Sequence, residues 1–330
     1  MQEALLFERV EGEAVLCRLC PWCCRIAPQG VGLCQVRENQ DGALYNLNYG
    51  LVSAAAVEPI ERRGVYHLFP GSVLLTLGGW GDNLRCRFRP APPELPEASE
   101  KRRYLDSERA IDFAVEHRCR GLAWGYQEPV VWLEYVLDTA KLARANGLFT
   151  LFLTKGFVSE EAIDLLGPYL DGWVVEILAA SAQPYEQACS LPGWETILRS
   201  TVHARKRWHC HVEIHTPLVV PVNGGDEVLR SLGSWIRENL GPDIPWHLWR
   251  CEPAGELAGQ PPASSEEMER AQAVGREAGL RYVYIQTGDE AGLSHTVCPS
   301  CGELLVRREG KFYIRTSGVE ENKCTRCGQE

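Results

Sequence analysis

Three groups of residues in this chain have the types and spacing of chemistry. The first lies near the C-terminus, where "CPSCG" and "CTRCG" present Cys298, Cys301, Cys324 and Cys327. Two C-x2-C knuckles make a tetrahedral four-thiolate site, and the glycine after each permits a tight turn that aims backbone N–H groups at sulfur. Spacing and ligand type favour zinc over iron, and four thiolates leave no open position, so the expected role is structural. The second group is "CRLCPWCCRIAPQGVGLC", in which Cys17, Cys20, Cys24 and Cys34 can form another four-thiolate site, for zinc or a [4Fe–4S] cluster. Spacing alone does not separate Cys24 from its neighbour Cys23. The third, "GGWGDNLRCRFRPAPP", follows an apolar run that reads as a strand. It sets Cys86 between Asp82 and Arg89 in a Gly-rich turn, at the strand end where α/β proteins keep their chemistry.

The chain that must position these groups has 330 residues, 45% of them hydrophobic and 24% charged. That suits one large α/β domain with small appendages. A net charge of −10 supplies no drive toward nucleic acid, and no apolar run reaches the length of a membrane span. The acidic opening "MQEALLFERVEGEA" does not read as a secretion signal. Close cysteine pairs in a chain without such a signal read as reduced metal ligands rather than a disulfide framework, so the expected location is cytoplasmic.

Between the cysteine-rich ends, strand-like and helix-like patterns alternate. Strands are expected at 72–78, 121–126, 148–154, 172–178, 210–220, 246–251 and 281–286. Leu133, Val136, Leu137, Ala140 and Ala143 follow helical spacing, Ser159 reads as an N-cap, and Ser264 with Glu267 reads as a capping box. Six or seven βα units predict a parallel barrel or partial barrel, with a doubly wound sheet as the competitor. The expected divisions are a Cys-rich segment over 1–64, the barrel over 65–287 and a zinc-ribbon-like module over 288–330. The proline-rich stretch 89–104 reads as a loop, and Cys119, Cys189 and Cys210 read as buried thiols. Side chains alternate along a strand, so His209, His211, Glu213 and His215 are expected on one face, pointing inward, and His247, Trp249 and Cys251 on one face of another strand.

"CRLCPWCCRIAPQGVGLCQVREN", "YHLFPGS", "YQEPVVWLEYVLDTAKLA", "TKGFVSEEA", "PWHLWRCEP", "AGLRYVY" and "CPSCGELLVRR" occur in this order along nearly the whole chain. In them the chain resembles the AmmeMemoRadiSam-type radical S-adenosylmethionine (SAM) proteins, relatives of the pyruvate formate-lyase activating enzyme. The resemblance implies a partial (β/α)6 radical-SAM-type barrel. It also implies a C-x3-C-x2-C loop after the first barrel strand, holding a [4Fe–4S] cluster that cleaves SAM. Here those three positions are Asp82, Cys86 and Arg89. Arginine stays protonated and cannot ligate iron, so the loop is degenerate. The positions that would bind SAM are altered too. They are Tyr126, Gln127 and Glu128 in "GYQEP", Thr154 and Gly156 around Lys155, Glu176 where an aspartate is usual, and Gln286-Thr287 in place of a Gly-Asn pair.

The resemblance brings Asp82, Cys86, Glu128, Glu176, His215, Cys251 and Glu252 to the barrel mouth. One expectation is a mononuclear metal held among Cys86, Cys251, His215 and Asp82. The plainer one is an Arg89–Asp82 ion pair that closes the old site. The expected function is that of a pseudoenzyme: a metal-binding, binding or scaffold protein that does not cleave SAM in the usual way. Its partners would be Memo-type or AMMECR-type proteins or an active radical SAM relative, with no nucleic acid and no membrane. The alternative is an active enzyme with a remodelled metal or small-molecule site at the mouth, or radical SAM chemistry with non-standard cluster ligands.

Overall fold

The structure is a computed structural model that describes residues 1–90, 103–286, 294–309, 312–315, 318–320 and 323–329. Most of the proline-rich loop, Thr287 and the 288 boundary lie outside the described residues.

Eight strands form the main sheet: β1 (Ala54–Pro59), β2 (Val73–Gly78), β3 (Gly121–Trp124), β4 (Phe149–Thr154), β5 (Gly172–Glu176), β6 (His211–Leu218), β7 (Trp246–Arg250) and β8 (Val283–Gln286). They lie side by side in chain order; β1 runs antiparallel to β2, and β2 to β8 are all parallel. Helices supply every crossover: α1 (Ser107–Glu116), α2 (Leu133–Ala145), α3 (Glu160–Leu166), α4 (Ala182–Cys189), α5 (Glu195–Trp208), α6 (Asp226–Asn239) and α7 (Ser265–Glu277). The result is six strand–helix units and a final strand. Strands covered on both faces read as continuous apolar runs, as in "VLLTLG" and "FTLFLT", and these are almost wholly buried. Ser159 caps α3 through the Ala162 N–H, and Ser264 with Glu267 completes the capping box of α7.

One expected alternation fails at its first residue. His209 is not in β6; it follows α5 with φ 56°, in the left-handed region, and the strand begins at His211. The helix ends by turning left-handed, so the period-two pattern starts only after the turn. From there Val212 and Ile214 are buried, and Glu213 is buried as well.

The N-terminal segment is built of two small antiparallel sheets. A buried ion pair ties it to the helices of the main sheet: Arg37 Nη2 lies 2.7 and 2.8 Å from the two carboxylate oxygens of Glu134 on α2. Asn46 Nδ2 and Leu5 N donate to the same carboxylate at 2.6 and 2.8 Å. At the other end, Leu304–Glu309 and Phe312–Arg315 form an antiparallel pair. Arg308 fastens that module beneath the sheet by donating to Tyr66 O at 3.0 Å and Thr296 Oγ1 at 2.7 Å.

Candidate functional site

The C-terminal strand ends surround a cavity of about 680 Å3. The loop after β2 contributes Asp82, Cys86 and Arg89, the loop after β4 contributes Lys155, and the end of β7 contributes Trp249 and Cys251. Glu252 also lines it.

Asp82 is buried. One of its oxygens accepts from Leu84 N at 2.9 Å and the other is ion-paired with Lys155. Arg89 is ion-paired with Glu176, not with Asp82 as the sequence suggested. Lys155 reaches Asp82 from the loop after β4, two strands along the sheet, and Arg89, beyond the turn, comes to rest at the end of β5, where Glu176 stands. Two of the three loop positions are therefore committed to ion pairs across strand ends. The third, Cys86, precedes Arg87, whose N–H donates to Ala188 O at 2.7 Å and lays the turn along the last residues of α4. Cys189 is half-buried and not the inert core thiol expected of it, whereas Cys119 and Cys210 are buried.

The expected SAM positions are largely bonded to one another. Glu128 accepts from Thr154 Oγ1 at 2.6 Å, Lys155 N at 2.7 Å and Val130 N at 3.3 Å. Burial raises its carboxyl to about 7, against the pull of the Lys155 charge. Gln127 Oε1 accepts from Ser53 Oγ at 3.3 Å. Gly156, at φ 76°, gives its carbonyl to Ser200 Oγ at 2.7 Å. Tyr126 lies under the Arg63 guanidinium, 4.3 Å from the ring centre.

His215 lies away from the cysteines. Its Nε2 is 3.0 Å from Gly64 O, and the protein packed around the ring lowers its pKa to about 3. Beneath it Glu213 receives Tyr66 N at 2.9 Å, His67 N at 2.8 Å, His211 Nε2 at 3.0 Å and His247 Nε2 at 2.6 Å. Burial alone would raise this carboxyl, but the histidine contacts hold it well below the usual carboxylate range. These inward polar residues form an internally satisfied network. Among the described residues, Asp82, Cys86, His215 and Cys251 do not bring three ligand atoms within 4.8 Å of one another.

Cys298, Cys301, Cys324 and Cys327 do meet that spacing. Cys298 and Cys327 sulfurs stand 3.5 Å apart, and Cys301 and Cys324 sulfurs 3.7 Å. This group can hold a metal ion, since sulfurs about 2.3 Å from one tetrahedral ion lie less than 4 Å from each other. In the N-terminal segment, Cys17, Cys20, Cys24 and Cys34 line one small cavity. Cys23 is exposed, at φ 42°, and does not line that cavity; among the described residues, no three of the four cysteines that do line it meet the ion spacing of the C-terminal group. Arg37 lines the same cavity, and its buried Nε–H has no hydrogen-bond partner. The cavity backs onto the mouth loop: Asn83 lines it, and Trp22 Nε1 donates to Asn83 O at 2.7 Å.

Over 339 aligned residues the chain is 32% identical to the uncharacterized protein MJ0808 of Methanocaldococcus jannaschii, an alignment covering 100% of this chain and 98% of that protein. The chain belongs to the MJ0808 family. No family model matches it. Among solved structures, the radical SAM methyltransferase from Sphaerobacter thermophilus superposes with a TM-score of 0.51 at 16% identity, covering 72% of this chain and 71% of that one. That likeness gives this MJ0808-family protein a radical SAM fold, a parallel sheet crossed by helices, and nothing about its activity. A domain of a pyruvate-formate lyase-activating enzyme from Bacteroides vulgatus is more distant, with a TM-score of 0.42 at 18% identity over 51% of this chain and 99% of that one.

Two site residues escaped sequence reasoning. Lys155 was visible as an oddity in "TKG", but nothing local joined it to Asp82. Cys189 carried no signal at all, because the Arg87–Ala188 hydrogen bond that brings the end of α4 to the mouth loop joins residues about a hundred positions apart.

Proposed function

We propose that this MJ0808-family protein is an AmmeMemoRadiSam-type partial barrel that has given up SAM cleavage and works as a metal-binding scaffold. The observation that carries this reading is the pairing of Arg89 with Glu176, beside that of Lys155 with Asp82. A cubane on the mouth loop needs thiolates where the chain has a carboxylate and a guanidinium. The residues present do not fit that cluster, and no chemical step is assigned to it. The saturated contacts of Glu128, Thr154 and Gly156 support the same conclusion for SAM.

The C-terminal four-cysteine group is read as a structural zinc ribbon. The N-terminal set is read as a second metal site, for zinc or [4Fe–4S], with the unpaired Arg37 Nε–H supplying a donor to its sulfur. The protein would act in the cytoplasm by docking with a Memo-type or AMMECR-type protein, or with an active radical SAM relative.

Anaerobic reconstitution with iron and sulfide, followed by SAM and a strong reductant, tests the reading. No 5′-deoxyadenosine above the protein-free control is expected. Any bound iron should be lost when Cys17, Cys20, Cys24 and Cys34 are all changed to serine. Deoxyadenosine formed by the wild type and abolished in Cys86→Ser would overturn it.

A further inference from the structure

The outer face of α5 carries charge that the rest of the fold does not cancel. The arginines and lysines of α1, α2 and α6 all stand beside carboxylates: Arg109 by Glu116, Lys141 by Asp138, Arg144 by Asp171, Arg230 by Glu277 and Arg237 by Glu238. On α5, Arg199 donates to Thr196 Oγ1 at 2.9 Å, and the Arg207 guanidinium lies 4.8 Å from the centre of the Trp208 ring. Among the described residues neither these two nor Lys206 is ion-paired. Two acids of the adjoining α3 are engaged elsewhere. Asp164 accepts from His203 Nε2 at 2.7 Å and from Trp208 Nε1 at 2.8 Å, and Glu160 lies 3.8 Å from His203 Nδ1. Cations in the last turn suit a helix C-terminus, which accounts for Lys206 and Arg207 on this helix but not for Arg199, near its start. The same three cations line a groove of about 440 Å3 between α5 and α6, together with Leu198, Val202 and Trp235. Arg199, Lys206 and Arg207 are exposed, and Val202 and Trp235 are half-buried. Positions 199, 202 and 206 follow helical spacing, so the cations and the apolar floor share one face of α5.

We infer that the α5–α6 groove docks an acidic amphipathic helix of a partner protein. Apolar side chains one turn apart on that helix lie against Leu198, Val202 and Trp235, and carboxylates on its flanks face Arg199, Lys206 and Arg207. Charge complementarity selects this occupant. A second copy of the chain, at net charge −10, is repelled as a body. A nucleic acid meets the same repulsion, and its phosphates gain nothing from an apolar floor. Rim cations around an apolar centre steer association and fix register more than they add affinity. The inference rests on the reading of the chain as a docking scaffold and names the chemistry of what docks; it makes no use of the mouth loop.

The test uses the full chain with its bound metals and three labelled probes read by fluorescence anisotropy. They are a synthetic amphipathic peptide with leucines on one face and glutamates on the other, the same peptide with lysines for the glutamates, and a single-stranded oligonucleotide. The glutamate peptide should bind, and more weakly as salt rises past about 0.1 M, where the Debye length is about 10 Å. Arg199→Gln/Lys206→Gln/Arg207→Gln should weaken it about tenfold, the scale of three exposed ion pairs. Val202→Ser should weaken it while keeping its salt dependence, and Lys206→Glu should shift preference toward the lysine peptide. Circular dichroism matched to wild type keeps a folding fault from passing as lost binding. Four results would overturn the inference: no binding of the glutamate peptide, equal binding of the lysine peptide, a glutamate peptide indifferent to the triple change, or tighter binding of the oligonucleotide through the same three residues. A dimer in sedimentation that the triple change dissociates would do so too, because the occupant would then be a second copy. The 5′-deoxyadenosine assay on the same samples separates the two failures. No peptide binding and no deoxyadenosine removes the groove alone; deoxyadenosine abolished by Cys86→Ser removes the scaffold reading, whatever the peptide does.

Discussion

The two four-cysteine regions are assembled in different ways. At the C-terminus two knuckles on short turns bring four sulfurs to the spacing of a single ion. At the N-terminus the four cysteines surround a cavity whose walls include Arg37 from a small sheet, Asn83 from the mouth loop and Val131 from the start of the α2 region. Local turns build the first group, and the second takes its surroundings from several parts of the fold. Damage to the main sheet should therefore reach one and spare the other.

The largest effect should come from the local site. In Cys298→Ser/Cys301→Ser, elemental analysis should show the loss of one zinc, and limited proteolysis should cut within 294–329 while the barrel stays protected. Structural zinc sites carry apparent binding energies of about 10–16 kcal/mol, so little of the module's order should survive. Retained zinc would mean that those sulfurs are not its ligands.

Next in size is the buried Arg37–Glu134 pair. Arg37→Met strands a buried carboxylate and should cost about 3–5 kcal/mol in a denaturant titration. It should also loosen the N-terminal metal and leave the C-terminal one in place. Equal loss at both ends would break the distinction between the two regions.

Acid offers a third lever, on the barrel interior. Burial holds His67 and His215 down to about 3, below their ordinary 6.5, so both are neutral in the folded protein at pH 5. Between those values the unfolded chain binds more protons than the folded one. Stability should therefore fall as pH drops below about 6.5, by at most about 1.4 kcal/mol per pH unit for each histidine. Thermal melts from pH 7 to pH 4 should show the slope, and His215→Gln should reduce it.

The smallest effects come from a pair of glycines. Gly81, at φ 82°, would place an added Cβ 2.6 Å from Cys34 O, where the mouth loop meets the N-terminal cysteines. Gly302, at φ 72° in the C-terminal knuckle, would meet nothing within 4 Å. Gly302→Ala should cost only the left-handed conformational penalty of about 1–2 kcal/mol. Gly81→Ala should cost more and lower N-terminal metal content. Matching losses in unfolding midpoint would remove Gly81 as a contact between loop and cysteine site.

Much of this architecture could be read along the chain because it is periodic. Each expected strand of the main sheet appears within a few residues of its place, since "VLLTLG" and its counterparts can satisfy their backbone only in a covered sheet. The knuckle glycines, Ser159 and the Ser264–Glu267 box were legible for the same reason: each acts over a few residues. The mouth was legible only as a set of residue types. Asp82, Arg89, Lys155 and Glu176 were all in view, but which acid would take which base was not.

By itself, then, the sequence determined the strand–helix alternation, the carboxylate and guanidinium that flank Cys86 in the mouth loop and the C-terminal four-cysteine group, because each depends on neighbours in the chain. Only the tertiary structure decided that Lys155 takes Asp82, that Arg89 takes Glu176, that the mouth loop lies along the end of α4, and that Arg37 pairs with Glu134. These are contacts between groups far apart in sequence. A charge has no preferred partner until packing sets the distances.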